Sequence, residues 1–564
     1  MPNTFKKFMF ANKSKETRAS PAAVEPKMNV LPPPRPEMSA SPPRILIIGA
    51  GSRGRSYAEA IIQSCNGLVV AVAEPDDYKR ENLGLTKIWG IDGPPAEGAQ
   101  FRGWKEFVDY EKQRRARAAA GEANVPPGVD AAFVCVQDEM HREVVVALAE
   151  LGGIHIMCEK PLATTLDDCK TMYSALQGNQ GKVFSIGHVL RYSPHNMMLR
   201  KLLLEDRVIG DVLSIVHTEP VGWWHFTHSY VRGNWRREST SAPSLLTKSC
   251  HDIDVLLWLL CSPPSYDDTD TPPHLPSTVS SSGALQYFKK SRKPVAAGGA
   301  TNCLSCPVET SCKYSAKRIY VDKTLHGLGT GNTHWPVSIV VPDIEDFEKR
   351  GGSKAAEEAL VAKLAEDYDA GSTPDAEVAA RNWFGRCVYE ADNDVCDEQI
   401  VTVTWDEDPL PSPHDSSSTD GTSDPMRGRG AKTATFHMVA QTRQICDRYT
   451  HIYGVDGEIY ADSHTIAVTD FRSGGVSGQT TTHQPRMESL GHGGGDVGLV
   501  RQFILAVDKV KNHGWDADRA QRELIGCTLE EVIRSHAMVF CAEEARREKK
   551  VVDWKKWWEQ KVGT

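Results

Sequence analysis

From residue 44 to residue 187, short apolar runs alternate with longer segments in which apolar residues recur every three or four positions. The runs at 45–48, 68–73, 130–136, 154–158 and 182–186 are nearly continuous in hydrophobicity, as strands buried on both faces must be. Between them, the segments starting near Tyr57 and at 104–120, 139–151 and 165–176 carry the helical period. Asp167 and Asp168 fall in the first turn of the last of these, where negative charge suits the helix dipole. The Arg114, Arg115, Arg117 run in 104–120 reads as a solvated helix face. Such alternation predicts an α/β Rossmann-like domain over 44–187, a parallel sheet covered on both faces with ligands at the strands' carboxyl ends.

Past residue 187 the pattern changes. Strand-like stretches at 211–217, 399–405, 435–442 and 458–461 are separated by long irregular or helical connections. This predicts a C-terminal α+β domain, 188–552, on one open, mostly antiparallel sheet. Three segments read as insertions. Residues 262–282 and 406–432 are rich in Pro, Ser, Asp and Thr, and 341–380 carries an acidic, alanine-rich helix at 354–367. A long helix is expected over 529–549, with Trp554, Trp557 and Trp558 packing it onto a domain. Residues 1–43 lack apolar periodicity and read as a disordered extension, the basic stretch 5–18 leaving a mitochondrial presequence open.

At 564 residues the chain has room for both domains, and its net charge of −9 gives no drive toward nucleic acid or membranes. No apolar run approaches the roughly 20 residues that span a bilayer. Fourteen cysteines in so long a chain are no disulfide scaffold, and Cys135 and Cys158 sit in apolar runs as small hydrophobes. A reducing, cytoplasmic setting is expected.

The chemistry starts at residues 44–55, RILIIGAGSRGR, where a β-branched run leads directly into Gly49, Gly51 and Gly54. A helical segment follows, and the next strand ends in Glu74, about 20 residues past Gly54. In that order the parts form a dinucleotide cradle. Gly49 permits the tight turn, Gly51 lets backbone approach a diphosphate, and Gly54 lets the helix pack on the strand. The helix N-terminus, through Ser52 and Arg53, supplies unpaired N–H groups. Glu74 can bind ribose hydroxyls and favours NAD over NADP, although Lys79 and Arg80 nearby leave NADP open.

With Glu159-Lys160-Pro161 added, the chain resembles the glucose–fructose oxidoreductase / inositol dehydrogenase / MocA family. Further motifs in order are Arg191-Tyr192-x-Pro194, His251-x-x-Asp254 and the HGGGD run at 492–496. The resemblance implies a nicotinamide cofactor, a sugar, polyol, cyclitol or sugar-acid substrate, and a homo-oligomer formed on the open sheet. It also implies cofactor contacts from Gln137, His141, Glu159 and Lys160, and places Lys160 on the reacting hydroxyl. An ammonium there would stabilise a developing alkoxide and exchange its proton. Family members commonly carry an acid four residues before the histidine; this chain has Thr247. His251 is therefore expected to work with Lys248, Asp252 or Asp254. The loop 222–237, GWWHFTHSYVRGNWRR, offers His225, His228 and Arg232, which with Arg191, Tyr192 and Lys248 would orient substrate in an electropositive cleft. The expectation is a dehydrogenase; the alternatives are a glycosidase or epimerase that recycles bound NAD, and a non-catalytic sugar-sensing regulator.

Cys303, Cys306 and Cys312 stand at metal-ligand spacing in a Gly/Pro/Ser-rich connection, which points to structural zinc. Similar sequences pair a cysteine at position 387 with this cluster, which implies Cys387 as fourth ligand; Cys250 and Cys396 stay open, as does an iron–sulfur cluster.

Overall fold

The computed structural model describes residues 36–91, 93–263, 271–327, 333–410, 425–485 and 492–563. Residues 1–35 of the N-terminal extension, 264–270 of the first insertion and 411–424 of the last lie outside the described residues.

The apolar runs form the strands β1 (Arg44–Ile48), β2 (Leu68–Ala73), β3 (Gln100–Phe101), β4 (Ala131–Val134), β5 (His155–Cys158) and β6 (Phe184–Ile186). They pair in parallel in the order β3-β2-β1-β4-β5-β6. Chain direction reverses its march at β1 and β4, so a crevice opens above their carboxyl ends. Only the two-residue β3 has no counterpart among the expected strands, being too short to carry a period.

This core is completed from far along the chain. Helix Gly495–His513 packs on helix Ser52–Ser64, and its Val500, Phe503, Ile504 and Val507 join Ile47 and Tyr57 in one cluster. The Phe503 ring meets Phe133 of β4 edge-on at 5.3 Å. Residues 36–43 run along the same helix, with the Ser39 hydroxyl donating to Asp508 at 2.6 Å.

The second sheet has nine strands: β7 (Val212–Pro220), β8 (Thr278–Ala284), β9 (Glu398–Trp405), β10 (Lys432–Val439), β11 (Tyr449–Gly454), β12 (Gly457–Asp462), β13 (Ile466–Asp470), β14 (Gln479–His483) and β15 (Val552–Asp553). Their order is β14-β13-β12-β11-β7-β10-β9-β8-β15, antiparallel throughout except between β7 and β10. The expected open antiparallel sheet is present, with one correction. The end of the 262–282 segment is strand β8, paired with β9 from Thr278↔Thr404 to Ala284↔Glu398. Its Ser-rich sequence has little strand propensity, so pairing rather than local preference makes it a strand.

One face of this sheet is buried beneath helices Cys250–Leu260 and Leu529–Glu548. The other leaves Val216, Ile400, Tyr453 and Tyr460 exposed. Between β8 and β9 the chain builds a small separate core from Ile319, Tyr320, Val340, Ile344, Leu360, Leu364 and Phe384. Trp554 and Trp557 stack at 5.7 Å and are buried against helix Leu529–Glu548, as expected. Among the described residues, no helix is long and apolar enough to cross a membrane.

Candidate active site

The β1 turn has the geometry its glycines require. Gly49 has φ +94°, and a Cβ there would stand 2.5 Å from the Cys135 carbonyl oxygen. A Cβ on Gly54 would stand 1.9 Å from the Gly49 carbonyl oxygen, whereas one on Gly51 would meet nothing within 4 Å. The turn is thus closed on the protein side and open toward the crevice, where helix Ser52–Ser64 begins. Glu74 ends β2 and braces the turn, its carboxylate accepting from the Ala50 N–H at 2.7 Å and the Asp76 N–H at 3.0 Å. Arg53 reaches across the crevice to Glu159 at 2.6 Å and Asp496 at 2.8 Å, tying the turn to β5 and to helix Gly495–His513. Burial disfavours the Glu159 charge, but the Arg53 guanidinium and the Tyr57 hydroxyl outweigh it and hold its pKa below the usual range.

The crevice continues into a cleft of about 2000 Å³ between the two sheets. Lys160 enters it just beyond β5, donating to the Thr247 carbonyl oxygen at 2.6 Å and lying 5.7 Å from the Trp235 ring. The chain's departure at Thr247 thus has a structural answer: its backbone carbonyl, not a carboxylate, receives the lysine. His251 opens helix Cys250–Leu260 in the same cleft, its ring 6.2 Å from that of His492. Burial, then the charge of Lys160, push the His251 pKa well below the ordinary imidazole value, so the ring is neutral at pH 7. Its Nδ1 is buried without a hydrogen-bond partner. A buried, unpaired ring nitrogen beside an amine is costly unless a ligand completes it.

The cleft's far wall is made of paired charges. Lys248 donates to Glu219 at 2.9 Å and to the Cys446 sulfur at 3.0 Å. Arg448 pairs with Glu219 at 3.0 Å and with Asp252 at 2.5 Å, and His217 bonds the same Asp252 at 3.1 Å. Aromatic side chains line the remainder: Trp335 stands 5.1 Å from the His225 ring and 5.6 Å from that of His228.

A model described as "Oxidoreductase family, NAD-binding Rossmann fold", GFO_IDH_MocA, matches residues 43–188. Over residues 43–188 the chain is thus similar to the Gfo/Idh/MocA oxidoreductases. An inositol 2-dehydrogenase of Paracoccus denitrificans is 32% identical over 217 residues, covering 38% of this chain and 54% of its own. A 2,7-anhydro-N-acetylneuraminate hydratase of Mediterraneibacter gnavus is 30% identical over 132 residues, 23% of this chain. That match spans 33% of the hydratase's length. A levoglucosan dehydrogenase solved with NADH and levoglucosan superposes with a TM-score of 0.52 at 14% identity, covering 91% of this chain and 99% of its own. That likeness establishes the fold.

Within this Gfo/Idh/MocA fold, Gly49, Gly51, Ser52, Arg53, Glu74, Gln137, Glu159 and Lys160 all line the cleft, as do His225, His228, Lys248 and His251. Five expected site residues do not: Gly54 is packed behind the turn against the Gly49 carbonyl, and four side chains lie elsewhere. Arg191 is buried in a bidentate pair with Asp254 at 2.7 and 2.8 Å, and the Tyr192 hydroxyl donates to the Ile525 carbonyl. Arg232 points into the cysteine-rich segment, donating to the Arg386 and Tyr314 carbonyls at 2.7 and 2.8 Å. His141 is buried against the carbonyls of Pro161 and Val136 and braces the Lys160 turn from behind. The expected electropositive cleft is reduced rather than realised: Lys248 is matched by Glu219, Arg191 and Arg232 are turned elsewhere, and Lys160 keeps its charge beside the Thr247 carbonyl. Lys248 is corrected as well. Burial lowers its pKa, but Cys446 and Glu219 outweigh that and hold it above the usual lysine value, so it stays charged and positions rather than exchanges protons. His251 takes none of its three expected partners, because Asp252 and Asp254 are already committed to arginines.

Residues absent from the sequence reading include Glu219, Cys446, Arg448 and Trp335. No local pattern marks them; Cys446 holds a left-handed backbone, φ 59°, with no glycine to advertise it. One buried trio, His188, Cys250 and His536, brings metal-type ligand atoms within 4.8 Å. Both nitrogens of His536 are spent, on the Leu162 N–H and the Val532 carbonyl, each at 2.8 Å, so the trio is a hydrogen-bonded core and not a metal site.

Gly54→Ala is expected to weaken NADH binding by about tenfold or more, because its methyl group must displace the turn that cradles the diphosphate. Fluorescence titration measures it; Gly51→Ala, which meets no protein atom, is expected to fold normally and fail only at binding.

Proposed function

We propose that this protein is an NAD-dependent oxidoreductase acting on the carbinol carbon of a neutral sugar, polyol or cyclitol. The observation that carries this reading is the unpartnered His251 Nδ1 beside the Lys160 amine, at the end of a crevice that begins in the glycine turn. A bound nicotinamide would accept or return the hydride; the chain's own residues would manage the proton. One Lys160 N–H is spent on Thr247, which fixes the amine, and its remaining donors can hold a substrate oxygen as charge develops. Neutral His251 can receive the hydroxyl proton at Nδ1. Trp335, His225 and Trp235 offer rings for the C–H faces of a sugar. The paired wall of Lys248, Glu219, Arg448 and Asp252 carries no spare positive charge, which favours an uncharged substrate over a sugar acid.

Support for the class comes from the names of the relatives, among them inositol 2-dehydrogenase and 1,5-anhydro-D-fructose reductase. The test is a panel of neutral sugars, polyols and cyclitols with NAD, read at the reduced-nicotinamide band. Rising absorbance with a neutral substrate is the expected result; turnover confined to uronates would overturn the substrate class. The 2,7-anhydro-N-acetylneuraminate hydratase relatives favour a second reading, in which NAD is oxidant and reductant within one turnover. Product without net absorbance change would select that reading. The exposed face bearing Val216, Ile400, Tyr453 and Tyr460 supports a homo-oligomer.

The pH profile should carry a second mark of the site. Because His251 is held neutral by burial, protonation would begin only well below the ordinary imidazole value, about 6.5. The rate should show no acid limb there. A limb centred near that value would remove His251 from the proton path.

A further inference from the structure

We propose that Cys303, Cys306, Cys312 and Cys387 bind one zinc ion that fastens together the two ends of the segment carrying Trp335. All four thiols line one small cavity, whereas Cys250 and Cys396 lie elsewhere. Cys303, Cys306 and Cys312 precede the small separate core, and Cys387 follows it. Backbone bonds bring these ends together: Cys303 N–H donates to the Gly385 carbonyl and Cys387 N–H to that of Thr301, both at 2.8 Å.

Hydrogen-bond donors already face three of the sulfurs. The Cys312 sulfur accepts the Tyr314 N–H, and the Cys387 sulfur accepts the Tyr389 N–H. Each is a bond from the residue two positions on, a tight turn of the kind that holds a ligand sulfur in place. Cys303 accepts from the Arg232 guanidinium at 3.3 Å.

Arg232 supplies the independent observation. It is 1% exposed, and among the described ion pairs none joins it to a carboxylate. Its acceptors are two carbonyls, the Cys303 sulfur and the Tyr320 hydroxyl, all uncharged groups or thiols. Glu309 at the cavity's rim is taken by the Ser315 hydroxyl. An isolated guanidinium so deeply buried needs a counter-charge. Zinc held by four thiolates carries a net charge of about −2, and places it against this arginine. Binding expels the thiol protons and changes no oxidation state.

The segment also needs a staple. From Lys290 to Ser311 the chain makes only single 3₁₀ turns, and its local core is Ala297, Cys303 and Tyr314. No three of the four sulfurs stand within 4.8 Å of one another, so a bound ion would have to draw them together. The closed set of four protein ligands makes the ion structural.

The test uses the full chain, purified without chelator, with metal measured by plasma mass spectrometry. About one zinc per chain is expected, released by a mercurial thiol reagent and detected with a zinc-sensitive dye. Cys387→Ser and Cys303→Ser should lose the zinc while still binding NADH, which separates a missing metal site from a misfolded nucleotide domain. If those variants do not fold, the mercurial release from the unaltered chain decides. A chain that carries no zinc and retains none after incubation with zinc and desalting overturns the proposal, as does iron in its place.

Discussion

Replacing Lys160 by alanine is expected to slow turnover by about 10²–10⁴-fold while leaving NADH affinity within a small factor of its original value. The amine projects into the cleft past β5, and among the described residues its one hydrogen-bond partner is the Thr247 carbonyl. Removing it deletes the donor that faces developing negative charge without disturbing the glycine turn, Glu74 or Arg53. Steady-state kinetics on the substrate found in the sugar panel, beside a fluorescence titration with NADH, separates the two effects. Loss of turnover with retained binding supports a role in the chemical step. Equal loss of both would make Lys160 a nucleotide ligand only. Unchanged turnover would remove it from the reaction and revive a sensing role for the protein.

The second large effect lies behind the site. Asp254→Ala is expected to destabilise the fold by about 3 kcal/mol, because it removes the bidentate partner of a buried guanidinium and leaves it the longer contact to Glu531 at 3.3 Å. Arg191 and Asp254 are both almost wholly enclosed, and His188 adds a contact to Asp254 at 3.1 Å. Burial works against the Asp254 charge, yet Arg191 and then His188 outweigh it and hold its pKa well below the usual carboxylate range. A folded pKa below the unfolded one contributes stability above the unfolded value and loses it as pH falls beneath. The native chain should therefore keep this contribution at neutral pH and lose it only below about pH 4. Urea unfolding of native and variant chains at neutral pH measures the difference; a cost under about 1 kcal/mol would mean that Glu531 or water takes the place of Asp254.

The motif Arg191-Tyr192-x-Pro194 is legible in the sequence, but its meaning is not. An arginine in a cleft-facing family motif reads as a substrate ligand, and only the packing of helix Cys250–Leu260 against it reveals Asp254 as its partner. Arg232 misleads in the same way. Its neighbours in sequence are aromatic and polar, as in a sugar site, yet its side chain turns to the cysteine segment. Long cationic side chains can point several ways from one backbone position, so spacing alone does not say which.

Local pattern was enough for most of the Rossmann half, though not for β3 or for helix Gly495–His513. That half's strands are buried on both faces and its helices on one, so local hydrophobic period and final burial coincide, and the glycines act through their own backbone geometry. The sequence also pointed to Lys160 and His251, which line the cleft because each follows directly from the end or start of a regular element. Tertiary structure alone decided which side chains pair the charges of the cleft's far wall, that helix Gly495–His513 completes the first core, and that Ser-rich β8 is a strand. It also brought Cys387 to the other three cysteines. Those outcomes depend on partners tens to hundreds of residues away, where pairing and burial outweigh any preference written into the local chain.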